Sequence, residues 1–195
     1  MKKTVVIGFV GSQLDSGKGS GRWEKWRPTV ALTQREELVI SRIELLDNGR
    51  SGQLIEQLRA DIASVSPETT VSSINLPIAD PWDFEQVYGA LFDFAHTYPF
   101  KVDEEEYWIH ITTGTHVAQI CLFLMTEARY FPGVLLQTSP PKRQQTIGPG
   151  SYALIDLDLS KYNQIAQRFA REREDAVTFL KSGIATRNKQ FNQLI

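Results

Sequence analysis

At 195 residues the chain suits one domain of ordinary size, long enough to bury a sizeable core and to carry an appended element. Hydrophobic residues make up 42% and charged residues 23%, which excludes a disordered chain; a formal net charge of −2 argues against bulk non-specific binding to duplex nucleic acid while leaving a local basic site open. The single cysteine, Cys121, lies in an apolar run, so no disulfide framework exists and a cytoplasmic location is expected.

Residues 4–10 form a short β-branched run, predicted as the first strand. Met1-Lys2-Lys3 before it imitates a signal peptide. The apolar run is too short for one, however, and Gln13, Asp15 and Lys18 follow without a cleavage pattern. Residues 11–27 are a long loop rich in glycine, serine and charge. Pro28 favours a helix start, and residues 29–37 make a short helix. A second strand covers 38–46, and Asp47-Asn48-Gly49 is turn chemistry. Leu54, Ile55, Leu58 and Ile62 fall at helical spacing within 51–65.

A third strand is predicted at 69–76. Asp80-Pro81 then reads as an N-cap followed by proline in the first helical position, opening a helix over 82–98. Residues 107–111 form strand four, 115–130 an apolar helix, 134–138 strand five, 139–150 a Pro/Gly/Lys/Arg loop and 152–159 strand six. Strands separated by helices imply right-handed βαβ crossovers and a Rossmann-like, mostly parallel sheet flanked by helices. In such sheets ligands bind beyond the carboxyl ends of the strands, near a reversal of strand order. No apolar run approaches the roughly 20 residues that span a bilayer, so no membrane partner is expected.

Composition changes after residue 159. Residues 1–159 are expected to be the ligand-binding domain. In 160–195, Tyr162, Ile165, Ala166, Phe169, Ala176, Val177 and Leu180 stripe an otherwise charged helix. That stripe fits either a C-terminal helix packed on its own domain or a linker helix toward a further domain, and the chain stops without a capping signal.

Three segments could hold a ligand. In Tyr107-Trp108-Ile109-His110-Ile111-Thr112-Thr113-Gly114-Thr115-His116 an apolar strand runs into a threonine-rich turn and then a helix. Free backbone N–H groups and the helix dipole favour an anion there. Gly114 allows close approach, Thr112, Thr113 and Thr115 bring hydroxyls, and His116 and Gln119 lie one turn apart on nearly the same face. His110, alternating with Ile109 and Ile111, reads as structural.

The second segment is the loop after strand one, with Gly11, Ser12, Asp15, Lys18, Arg22 and Trp23. It imitates a phosphate loop, but Gly11 and Gly17 are one residue too far apart for G-x-x-x-x-G-K-[ST], and Gly19 follows Lys18. Trp23 and Trp26 interleaved with Arg22, Lys25 and Arg27 suit bases and phosphates; equally, both tryptophans could simply pack the loop onto the domain. The third is Thr138-Ser139-Pro140-Pro141-Lys142-Arg143, where Ser139, Lys142 and Arg143 could reach the same crevice, or form only a surface loop. Catalytic and metal patterns are absent from the sequence: His96, His110 and His116 lack metal spacing, and no nucleophile elbow occurs. The run Asp103-Glu104-Glu105-Glu106 precedes strand four at its amino end and reads as a solvated turn.

Three long strings together resemble one family. They are Gly8–Asp15 with Gly21–Leu32, His110–Cys121, and Leu136-Gln137-Thr138-Ser139-Pro140-Pro141. They are similar to the N-terminal region of the RtcR family, bacterial activators of an RNA-repair operon encoding an RNA 3′-phosphate cyclase and an RNA ligase. The resemblance implies a CARF domain, a Rossmann-like sensor that dimerises and binds an oligonucleotide. It places the ligand motifs at Gly11–Lys18 and Thr112–His116. It implies as ligand an RNA fragment with a 2′,3′-cyclic phosphate end, a damaged tRNA, or a cyclic or linear oligonucleotide. A neighbouring AAA+ ATPase would be held inactive until ligand arrives. No cofactor is expected in this chain, ATP and magnesium belonging to that ATPase; no Walker A or helix-turn-helix pattern occurs here. Some CARF domains cleave cyclic oligoadenylate through the ligand's own 2′-OH, and for that alternative Lys18, Thr113 and His116 are the candidates.

Overall fold

A computed structural model describes residues 2–142 and 148–156. The chain divides into two units, Met1–Ile155 and Asp156–Ile195. Arg143 and the striped segment beyond residue 159 lie outside the described residues.

The first unit is a six-stranded sheet in the order β3-β2-β1-β4-β5-β6. Its strands are β1 (Lys3–Phe9), β2 (Ile40–Asp47), β3 (Thr70–Asn75), β4 (Glu105–His110), β5 (Gly133–Ser139) and β6 (Ser151–Ile155). The first five are parallel and β6 runs antiparallel to β5. Chain order moves outward from β1 to β3, then returns to the other side of β1 with β4, so strand order reverses between β1 and β4. The central strands are covered on both faces: Val5, Val6, Ile7, Ile109, Leu135 and Leu136 are all buried. That is why they read as continuous apolar runs rather than as alternating ones.

Four helices cover the sheet: α1 (Pro28–Thr33), α2 (Gly52–Val65), α3 (Phe84–Thr97) and α4 (His116–Glu127); a 3-10 turn spans Ser20–Glu24. Of the apolar positions read from spacing in α2, Ile55, Leu58 and Ile62 are buried and Leu54 is partly so; α3 buries Val87, Leu91 and Phe94, while Phe84 at its start is 49% exposed. Two expectations are corrected. The cap of α3 is Asp83, whose carboxylate accepts from Gln86 N at 3.0 Å, so the helix begins at Phe84 and Trp82 stays in the preceding loop. Asp80 instead accepts from Trp82 N at 2.9 Å in a turn of its own.

The acidic run is a solvated turn only in part: Asp103 and Glu104 are exposed in a turn. Glu105 and Glu106 belong to β4, and buried Glu105 takes two bonds from Arg42, at 2.8 and 3.0 Å. The same guanidinium reaches Glu44 at 2.7 Å, and the Tyr98 hydroxyl donates to Glu44 at 2.9 Å. Glu105 also accepts from Tyr107. Arg42 holds the Glu105 carboxyl below its ordinary range, against the opposing effect of burial.

His110 is the structural residue that strand alternation implied. It is 2% exposed, shares a hydrogen bond of 3.1 Å with the Thr138 hydroxyl, and is pulled by burial down to about 4. Gly8 pairs with it across β1 and β4, and a Cβ on Gly8 would lie 2.8 Å from His110 Cβ. Only glycine fits that crossing.

Candidate functional site

The reversal between β1 and β4 opens a cleft of about 1280 Å³ at the carboxyl ends of the central strands. It is lined by Gly11–Leu14 after β1 and by Thr112–His116, Ala118 and Gln119 after β4; Asp47, Asn48 and Arg50 after β2 and Pro81-Trp82 after β3 add to the lining. Ile120 and Phe123 of α4 add an apolar wall.

Of the residues singled out in the sequence, Gly11, Ser12, Thr112, Thr113, Gly114, Thr115, His116 and Gln119 come together in this cleft. The threonines have duties other than presenting free hydroxyls. Thr113 is 1% exposed and donates to Phe9 O at 2.6 Å, tying the turn to the end of β1. Thr112 Oγ1 accepts from Thr138 N at 2.7 Å and donates to Thr138 O at 3.3 Å, locking the turn to β5. Thr115 caps α4 by accepting from Ala118 N at 3.1 Å and donates to Pro81 O at 2.8 Å.

With its side chains so engaged, the turn offers its backbone. Among the described residues nothing accepts from the N–H groups of Gly114, just before the cap, or of His116 and Val117, orphan donors of the helix start. Gly114 sits at φ +89°, and a Cβ there would come within 3.0 Å of Phe9. The turn therefore needs glycine both for its conformation and for its closeness to β1. The side chain of His116 is exposed, and that of Gln119 folds back toward Thr112 O and Gly114 O at 3.4 and 3.3 Å.

The β1–α1 loop splits into parts. Asp15 does not face the cleft. It is fully buried and accepts from Thr29 N at 2.9 Å and from the Thr29 hydroxyl at 2.6 Å, serving as a cap supplied to α1 from outside the helix. Burial raises its pKa despite those bonds. Arg22 is likewise taken out of the cleft, since it binds Asp61 of α2 at 2.8 Å. Asp61 also holds Arg27 at 2.6 Å, and Arg27 Nε donates to Asp15 O at 2.8 Å. Lys18 is exposed and does not line the cleft.

Trp23 and Trp26 line a separate pocket of about 270 Å³ with Pro141 and Pro149, where Trp26 Nε1 donates to Pro149 O at 3.3 Å. Ser139 and Lys142 line neither space. Arg50 and Trp82 were missed by the sequence reading. The only signal that could have found them is strand order, which puts the ends of β2 and β3 beside that of β1.

Among the described residues no group of three or more His, Cys, Asp or Glu could hold a metal, and no helix is long and apolar enough to cross a membrane.

Sheet order, helical cover and a cleft at the strand reversal define a Rossmann-like α/β domain. The chain is similar in structure to Csm6 of Enterococcus italicus solved with cyclic hexa-2′-fluoro-hexa-dAMP. That match has a TM-score of 0.60 and 14% identity, covering 99% of this chain and 53% of that one. A weaker likeness, with a TM-score of 0.44 and 13% identity, links it to Can2 of Sulfobacillus thermosulfidooxidans solved with cyclic tetra-adenylate; it covers 70% of this chain and 32% of that one. Residues 2–183 match the RtcR model, described as regulator of RNA terminal phosphate cyclase. The chain is also 60% identical, over 197 aligned positions, to the transcriptional regulatory protein RtcR of Escherichia coli K12. The chain belongs to the RtcR family of transcriptional regulators. It aligns over its whole length but spans 37% of that relative.

Proposed function

We propose that this chain is the ligand-sensing domain of a regulator of RNA-repair genes, and that its cleft binds a short single-stranded oligonucleotide. The observation that carries the reading is the N-terminal turn of α4, where the His116 and Val117 N–H groups have no acceptor among the described residues, beside a large cleft at the strand reversal. Gly114, His116 and Val117 N–H groups suit a phosphate, and Arg50 adds a cation from the β2 side. Family membership supports RNA as the ligand class, in the form of an RNA end with a 2′,3′-cyclic phosphate, a damaged tRNA or a cyclic oligonucleotide. The Csm6 likeness supports the fold as a holder of oligonucleotides.

Binding would act by favouring one of two arrangements of a homodimer. Ile120, Phe123 and Leu124 are 54%, 41% and 37% exposed along one side of α4, an apolar strip suited to a second copy of the chain. The change would pass to an AAA+ ATPase in the longer protein and relieve its repression. ATP and magnesium would be used there, and this domain would need no cofactor.

Cleavage of a bound cyclic oligoadenylate is the less supported reading. Lys18 stands outside the cleft and the Thr113 hydroxyl is bonded to Phe9, which leaves His116 alone among the three candidates. Incubation with cyclic hexa-adenylate, followed by mass spectrometry, is expected to return it uncut; linear products would support cleavage. The binding itself is tested by calorimetric titration with cyclic hexa-adenylate and with a penta-adenylate ending in a 2′,3′-cyclic phosphate. At least one should bind, with Arg50→Ala weakening it about tenfold through loss of a charge-assisted contact. No heat and no binding with either would contradict the proposal.

A further inference from the structure

The four tryptophans differ in what their rings meet. Trp23 carries the Arg22 guanidinium 5.4 Å from its ring centroid, Trp26 donates its indole N–H to Pro149, and Trp108 packs against the core. Trp82 has no ring contact or indole hydrogen bond among the described residues, and it leaves 63% of its surface exposed at the side of the cleft.

The backbone beneath it is fixed. Leu76 N donates to Asp47 O at 2.7 Å, which ties the β3–α3 loop to the end of β2. Asp80 N donates to Gln86 Oε1 at 3.1 Å, and Trp82 N to Asp80 Oδ1 at 2.9 Å. Pro81 O accepts from the Thr115 hydroxyl, and Thr115 is the residue that caps α4. One threonine therefore holds the peptide just before the indole and, at the same time, the helix start whose N–H groups face the cleft. A large apolar ring kept bare on a restrained loop loses little freedom when something flat covers it.

We propose that Trp82 is the stacking platform for a nucleobase of the ligand, working beside a phosphate held at the start of α4. The assignment rests on the oligonucleotide-binding reading of the cleft and adds to it a residue that reads the base rather than the backbone. Every base has a flat π-face, so this contact separates an oligonucleotide from a phosphate-bearing ligand without bases.

The test titrates the 195-residue chain with two probes: the penta-adenylate ending in a 2′,3′-cyclic phosphate, and an abasic analogue with the same sugars and phosphates. Trp82→Ala should weaken the adenylate by about tenfold or more and the abasic probe by less than about twofold, while Trp82→Phe keeps most of the adenylate affinity. Equal losses on both probes would overturn the assignment, as would an unchanged adenylate affinity. So would a loss seen on both probes together with a weakened dimer in sedimentation, which would place the indole between two copies. If the unaltered chain binds neither probe nor cyclic hexa-adenylate, the sensing reading itself fails and this assignment falls with it.

Discussion

The two ends of the parallel sheet use polar residues in opposite ways. Toward the amino ends, charge is dense and consumed: Arg42 is shared by Glu44 and Glu105, with Tyr98 and Tyr107 closing the network. At the carboxyl ends charge is sparse, the threonine hydroxyls are spent on Phe9, Thr138, Ala118 and Pro81, and what faces the cleft is backbone N–H, the exposed Ser12 and His116, one bare indole, and Arg50, whose guanidinium also donates to Ala79 O at 3.4 Å. A site is marked by what the fold leaves unsatisfied, not by where ionisable residues are most numerous. The amino-end network belongs to stability and the cleft to binding, so substitutions at the two ends should separate in their effects.

The largest effect is expected from pH acting on His110. Its folded pKa of about 4 lies below the ordinary histidine value of 6.5, so the unfolded chain takes up a proton that the native chain refuses. Stability should therefore be full above about pH 6.5 and fall as pH drops toward 4, by on the order of 3 kcal/mol. Urea denaturation across that range measures it, and His110→Asn should remove that part of the slope.

Next comes Arg42→Met, which strands two buried carboxylates. A loss of about 2–3 kcal/mol is expected from chemical denaturation, with oligonucleotide affinity unchanged within about twofold. Thr113→Val, at the cleft end, removes one buried hydrogen bond to Phe9 O and should cost about 1 kcal/mol by the same assay. Smallest of all, Lys18→Ala should alter neither stability nor calorimetric affinity, because its side chain lies outside the cleft; a tenfold loss of affinity would return the middle of the β1–α1 loop to the site.

Much of the fold was legible because apolar strand runs and helical spacing alternate from β1 to β5, and the buried middles of the central strands are apolar. The cap of α3 was misplaced because Asp80-Pro81 carries the same chemistry as a true cap; only the backbone decides for Asp83. Glu105 was misread because a carboxylate on a strand is recognisable only once its partner, Arg42 on β2, is known to lie within reach. Within the cleft, Gly11, Ser12 and the Thr112–Gln119 stretch were found because strand–turn–helix junctions announce themselves locally. Arg50 and Trp82 were not found, since their place depends on strand order, which local pattern does not encode. For the threonines, residue type was a sound guide to location and a poor one to duty: they build the turn, and the backbone they hold is what remains to meet a ligand.

The central claim is most directly tested by amide chemical-shift mapping of the chain with saturating penta-adenylate ending in a 2′,3′-cyclic phosphate. The account predicts the largest shifts at Gly114, His116 and Val117, with further shifts across Gly11–Leu14 and none around Arg42 and Glu105. Shifts confined to the Trp23–Trp26 pocket or to the amino-end network, with the α4 turn silent, would contradict it.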